Sequence, residues 1–369
     1  MIAINVVDRS LSLLDKKQRA LSFMAHRCIG KKSAFSSHTM NCLWRILFAA
    51  FVFADTTIKG EPNDRPIIGI LTQEIDYKLN EQYPDQYHSY IAASYVKFVE
   101  GAGARPVPIW IDGTDSYYET ILSKVNGVLW PGGSTYFNQS KGYADAGAVI
   151  YRIAKNINAR GEYFPIFTIC LGFELLTYVA ANCVEHRTTC SSHNQPLPLE
   201  FTHDFRESNL FGNAPQDVIK ILSEENVTAN YHRYCVTMQD LNNVNLTDEF
   251  HVLSLNHDKN DLEFISTIEH KQFPFYGLQF HPEKNLYEWV TGKNIPHGSN
   301  ATIVSQYFAN FFVNEARKNS HEFRTKEEEK QSLIYNYPIT YTALQNSSFE
   351  QCYMFKKNDR NGLVIENEV

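Results

Sequence analysis

Three residues have the types and setting for acyl-transfer chemistry: Cys170, His281 and Glu283. Cys170 closes the apolar run Phe164, Pro165, Ile166, Phe167, Thr168, Ile169, and a helix-like pattern starts at Leu171. A thiol at such a strand-to-helix turn is held clear of its own backbone, which suits a nucleophile. It also lies beside the unpaired N–H groups of a helix N-terminus, which favour the thiolate. The competing reading of a cysteine in apolar surroundings is a buried structural one. His281 stands in Gly277-Leu278-Gln279-Phe280-His281-Pro282-Glu283-Lys284. Pro282 biases His281 toward extended backbone. Residues two apart then face one side, so Glu283 is placed to orient the imidazole and stabilise its cation. A surface histidine beside a solvated carboxylate is the plainer alternative.

A nucleophile of this kind also needs donors for the oxyanion. The N–H of Leu171 is one, and Gly172 lets the turn be tight. A second source is Pro131-Gly132-Gly133-Ser134. Glycines directly after a strand let backbone amides face a ligand with no Cβ in the way, although Pro-Gly is more often a simple β-turn. No clustered metal-ligand spacing is visible, and no metal or other cofactor is expected.

The elements that must position these groups follow from hydrophobic periodicity. Pro66 to Thr72, Arg105 to Trp110, Gly127 to Trp130 and Phe164 to Ile169 read as buried strands. Between them, helical spacing joins Ile91, Tyr95, Phe98, Val99 and Ala102, then Tyr117 to Val125, then Asp145 to Asn158. This alternation predicts an α/β, doubly wound, mostly parallel sheet with helices on both faces. In such a sheet, loops at the carboxyl ends of neighbouring strands share one crevice, and both Cys170 and the Gly-Gly turn lie at such ends. After Cys183 the rhythm changes. Pro196 to Phe201, Tyr231 to Met238, Phe250 to Leu255, Leu262 to Ile268 and Phe275 to Phe280 predict an antiparallel or mixed extension, with a helix at Gln216 to Leu222. A closing helix carries Val304, Phe308, Phe311 and Phe312 on one stripe, and Lys326 to Lys330 reads as a solvated face or linker.

The charge distribution divides the 369-residue chain. Residues 1–54 hold eight Lys/Arg and two Asp/Glu, so the net charge of −7 leaves −13 for residues 55–369. So acidic a domain lacks the basic footprint of a nucleic-acid binder. From Met40, a short basic lead is followed by the apolar run Ile46 to Ala54, too short to span a bilayer. It reads as a secretory signal cleaved after Ala54, preceded by an upstream extension. The expected organisation is therefore a leader at 1–54, a catalytic domain at 55–320 and a C-terminal tail at 321–369. Sequons at Asn138, Asn226, Asn245, Asn300 and Asn346 suit that route. Five cysteines follow Ala54, an odd count that leaves at least one thiol unpaired in an oxidising compartment. If Cys170 is that one, the other four allow two disulfides.

Taken together, these stretches resemble the class I glutamine amidotransferase-like superfamily, whose signature is a cysteine elbow followed much later by His-x-Glu. Within it the likeness is to the γ-glutamyl hydrolases. It is carried by Ile91 to Lys97, Trp130 to Ser134, Cys170 to Glu174, Asn230-Tyr231-His232, Gln279 to Lys284 and Phe311 to Arg317, and covers roughly residues 63–355. The resemblance implies a cysteine hydrolase of folate poly-γ-glutamates, with Cys170 as nucleophile, His281 as proton carrier and Glu283 orienting it. Gly133 and Leu171 would form the oxyanion hole, and Tyr95, Gly132, Glu174 and His232 would lie at the substrate. It also implies a lysosomal or secreted protein acting on a small molecule, without stable membrane insertion, and is compatible with a homodimer. Glu174 stands where ammonia-producing relatives carry Gln, which argues against a glutaminase subunit. One departure is Thr168, where the superfamily usually has Gly. It is expected to crowd the elbow, and an inactive γ-glutamyl-binding homologue is the corresponding alternative.

Overall fold

The computed structural model describes residues 62–345, 347–357 and 359. The expected leader and the sequon at Asn346 lie outside them.

Fourteen strands are described, in three sheets. In chain order they are β1 Ile67–Leu71, β2 Gln73–Glu74, β3 Ser89–Ala92, β4 Arg105–Ile109, β5 Gly127–Trp130, β6 Ile166–Ile169 and β7 Thr188–Leu197. Then come β8 Glu200–Phe201, β9 Thr228–Cys235, β10 Phe250–His257, β11 Glu263–His270, β12 Phe275–Leu278, β13 Ile339–Tyr341 and β14 Gln351–Phe355. The main sheet runs β4-β1-β5-β6-β12-β11-β10-β8. Its first five strands are parallel, and β11, β10 and β8 continue it antiparallel.

The parallel strands are apolar on both faces because both faces are covered. Ile68 and Ile70 of β1 and Phe167 and Ile169 of β6 join one core, packed by Phe98, Phe308 and Phe312 from the helices Ala93–Gly101 and Ser299–Ala316. Their neighbours Ile67, Leu71 and Ile166 join the opposite core, under the helices Asp115–Leu122, Tyr143–Ala159 and Leu171–Ala180. The doubly wound sheet with an antiparallel extension is thus as expected.

Other features depart from the sequence reading. Ser89–Ala92 is strand rather than the start of a helix, because it forms backbone ladders with β14 and β2. Residues beyond 320, read as a tail, add β13 and β14 to that sheet. The charged run Lys326 to Lys330 belongs to a helix, Lys326–Ser332, which is a solvated face at Lys326, Glu327 and Lys330, as expected, while its Glu328 pairs with Lys124 at 2.5 Å and its Glu329 with Arg105. Among the described residues one disulfide forms rather than two: Cys190 on β7 bonds Cys235 on β9, while Cys170, Cys183 and Cys352 are free. Cys352 is committed elsewhere, on β14 in another sheet, where it accepts from the Thr342 hydroxyl.

Candidate active site

Three adjacent parallel strands deliver the site from one edge. β5 runs into the Gly-Gly turn, β6 into Cys170 and β12 toward His281. Cys170 has φ 52° and ψ −109°, a left-handed backbone that L-residues avoid unless their surroundings impose it. Here its N–H donates to the Leu278 carbonyl at 2.7 Å, and its carbonyl accepts from Glu174 N–H as the helix starts. A Cβ on Gly172 would run into the Trp130 carbonyl oxygen, so the helix approaches β5 only through a glycine.

The crowding expected from Thr168 is absorbed by the neighbouring strand. Thr168 is opposite Gly277 in the β6–β12 ladder, and its hydroxyl donates to the Tyr276 carbonyl at 3.0 Å. A Cβ at position 277 would lie 3.2 Å from that hydroxyl and 2.6 Å from the Phe173 ring. The space usually gained by glycine before the cysteine is gained here by glycine beside it.

Cys170 and His281 meet over Gly132. The position a Cβ would take there is 3.0 Å from Cys170 Cβ, 2.7 Å from His281 Cε1 and 2.7 Å from the Tyr95 hydroxyl. His281 Nδ1 lies 2.7 Å from the Glu283 carboxylate, so Nδ1 carries the proton and Nε2 is left to exchange one. Tyr95 is fully buried; its hydroxyl accepts from Gly132 N–H at 2.9 Å and lies 3.3 Å from His281 Nδ1. Tyr95 and Gly132 therefore sit behind the imidazole and do not line the cavity, contrary to the substrate contact expected of them.

That cavity has a volume of about 640 Å³ and is lined by Cys170, His281, Leu171, Gly133, Glu174 and His232, among others. Glu174 is bound by Arg187 at 2.8 Å and by Gln279 at 3.2 Å. Burial nonetheless pushes its carboxyl up to about 7, with Arg187 opposing. His232 is buried, and burial drives it down to about 3. Sequence reasoning passed over the cavity's cations: Lys78, Arg187, Arg233, Lys284 and Lys293. Lys284 and Arg233 had a signal, their places next to Glu283 and His232; the others come from distant segments. Lys284 is buried with its ammonium 4.6 Å from the Phe349 ring centre.

Burial also sets the resting protonation of the pair. It pushes the Cys170 thiol well above its usual range, helped by the Glu174 and Glu283 carboxylates; Lys284 and the Leu171 N–H oppose with smaller effect. It pushes His281 below its usual value, against Glu283 and together with Lys284. At neutral pH both directions favour a thiol beside a neutral imidazole over the thiolate that the helix N-terminus alone would favour. Proton transfer must accompany attack on a carbonyl carbon.

Comparison with known proteins identifies the family. The family model for peptidase C26 matches residues 66–283. Gamma-glutamyl hydrolase B of Dictyostelium discoideum is 37% identical over 320 residues, 85% of this chain and 91% of that protein. Gamma-glutamyl hydrolase of Homo sapiens is 41% identical over 298 residues (80% and 91%), and that of Rattus norvegicus 39% over 316 residues (85% and 97%).

Proposed function

The chain belongs to the peptidase C26 family and is a hydrolase of γ-glutamyl bonds, and from that premise we propose that it cleaves folate poly-γ-glutamates through a thioester on Cys170. The observation that carries the substrate class is the charge of the cavity. Five cations line it against the carboxylates Asp76 and Glu174, in a chain whose net charge is −7. A γ-linked glutamate chain presents one free α-carboxylate per residue, and cations in a partly dry cavity bind such groups well.

Cys170 Sγ attacks the γ-carbonyl carbon while its proton passes to His281. The Leu171 and Gly133 amides receive the developing oxyanion. Glu283 holds the imidazole in the tautomer that accepts at Nε2 and stabilises the cation it becomes. His281 then protonates the departing amine, and afterwards takes a proton from the water that opens the thioester. Tyr95 and Gly132 act as positioning groups behind His281. The apolar run ending at Ala54 supports entry to the secretory pathway and a lysosomal or extracellular destination, and among the described residues no helix is long and apolar enough to cross a membrane. Sequons Asn138, Asn226 and Asn245 are exposed, as glycan acceptors would be.

The test is hydrolysis of a pteroyl oligo-γ-glutamate followed by mass spectrometry. Release of glutamate or γ-glutamyl peptides by the parent, and loss of turnover in Cys170→Ala, are expected. A Cys170→Ala variant as fast as the parent would overturn the mechanism; cleavage of α-linked glutamate at an equal rate would overturn the specificity.

A further inference from the structure

Beside the hydrolytic site, three side chains that the sequence spacing does not announce converge between the paired antiparallel strands β7 and β9. Cys190, His232 and Cys235 are all buried, and their ligand-type atoms lie within 4.8 Å of one another. The two sulfurs are joined as a disulfide. His232 Nδ1 is 3.5 Å from Cys190 Sγ, 3.3 Å from Cys235 Sγ and 3.1 Å from the Tyr234 carbonyl oxygen. Its Nε2 is 3.1 Å from Asn230 Oδ1. Asn230 is itself anchored, its amide nitrogen donating to the Thr228 carbonyl at 3.2 Å and hydroxyl at 3.3 Å, which turns Oδ1 toward the imidazole. Both ring nitrogens thus face acceptors, Nδ1 the Tyr234 carbonyl and Nε2 the Asn230 amide oxygen, so the resting ring can carry its proton on either. With the proton on Nε2, donating to Asn230, the Nδ1 lone pair faces the two sulfurs.

This is the arrangement of a metal-binding histidine, whose far nitrogen is held by a carbonyl so that the near one points at the ion. The sulfur–nitrogen spacing fits as well. Zinc–sulfur bonds of about 2.3 Å and zinc–nitrogen bonds of about 2.0–2.1 Å at tetrahedral angles put sulfur and nitrogen roughly 3.5 Å apart. We propose that the reduced form of this cluster is a binding site for a thiophilic divalent cation of the zinc class, held by the two thiolates and His232 Nδ1. Reduction needs only that the sulfurs separate to about 3.8 Å, the edge of the same tetrahedron. A phosphine supplies the two electrons: it takes oxygen from water, becomes the phosphine oxide and leaves two thiols. Cation capture then releases both thiol protons. The filled site would clasp β7 to β9 as the disulfide does, and so hold the strand that carries Tyr231, His232 and Arg233 to the cavity. Nothing in this depends on which γ-glutamyl compound is hydrolysed.

The test uses the full chain carrying Cys170→Ala, which removes the other thiol in the cavity, titrated with cadmium after treatment with a water-soluble phosphine. The reduced protein is expected to gain an ultraviolet thiolate-to-cadmium band saturating at one equivalent, while the oxidised protein and the reduced Cys190→Ser/Cys235→Ser variant gain none. In the same sample, cadmium should shield Cys190 and Cys235, but not Cys183, from iodoacetamide, as mapped by peptide mass. Absence of the band, its persistence in the serine variant, or equal alkylation of Cys190 and Cys235 with and without cadmium would overturn the proposal. The alkylation map decides the matter if the serine variant does not fold.

Discussion

Glu283→Gln isolates the charge behind the imidazole. Glu283 is fully buried and its carboxylate lies 2.7 Å from His281 Nδ1. His281 is held below its ordinary value by burial, so at neutral pH the resting ring is uncharged and gains from Glu283 one hydrogen bond rather than an ion pair. The ring becomes a cation only as it takes the Cys170 proton. At a charge separation of about 4 Å and an effective dielectric of about 20, the carboxylate stabilises that cation by about 4 kcal/mol. Glutamine can still accept from Nδ1–H and recovers a small part. The remaining loss of about 3 to 4 kcal/mol appears in the transition state and corresponds to a few-hundred-fold drop in rate. Because the lost interaction is absent from the ground state, kcat should carry the drop while KM stays within about twofold. Removing a buried charge should leave the melting temperature unchanged or raised. The assay is steady-state hydrolysis of a γ-glutamyl oligomer at neutral pH, with calorimetry on the same preparations. A variant retaining more than about a tenth of the parental kcat, with its fold intact, would refute the account of Glu283 as electrostatic support.

Gly277→Ala should drive a methyl into the Phe173 ring and against Thr168, costing about 1–3 kcal/mol of stability by overpacking and lowering kcat through the displaced elbow; calorimetry and turnover read the two effects. Lys293→Met should raise KM about tenfold for a substrate with free α-carboxylates, roughly 1.5 kcal/mol for one charged hydrogen bond, and leave KM unchanged for the α-amidated analogue. His270 is lowered to about 4 by burial, with the Lys155 cation adding, whereas its unfolded value is 6.5. The unfolded chain therefore binds this proton first, so the stability in question is complete above pH 6.5 and is lost as pH falls toward 4, by about 3 kcal/mol in all. His270→Asn keeps an acceptor for the Gln272 and Phe273 N–H groups and should flatten that acid limb in denaturant titrations at pH 7 and pH 4.5.

What could be read from the sequence, and what could not, divides along sequence distance. The elbow was legible because strand, cysteine and helix are contiguous, and each announces itself by a local period or a break in one. His281 and Glu283 were legible for the same reason, with a proline between them to constrain the backbone. The main sheet followed because alternating strands and helices leave few ways to cover a parallel sheet on both faces. Thr168 misled because its partner, Gly277, is local only across a ladder; the crowding was a property of the pair, and one member was invisible from the other. The thiol's protonation misled for a related reason. The helix N-terminus is local and favours the thiolate, but burial by two packed cores is not local, and it prevails. The cavity's summed charge and the Cys190–Cys235 bond, which closes 45 residues, had little local signature, since most of the cations and both sulfurs arrive from separate segments. The chemistry of the nucleophile is thus encoded within a few residues of Cys170, whereas the selection of its substrate is encoded by which loops the fold brings to that edge. Substitutions among the cavity cations should accordingly alter which γ-glutamyl chains are bound while leaving the elbow's geometry intact.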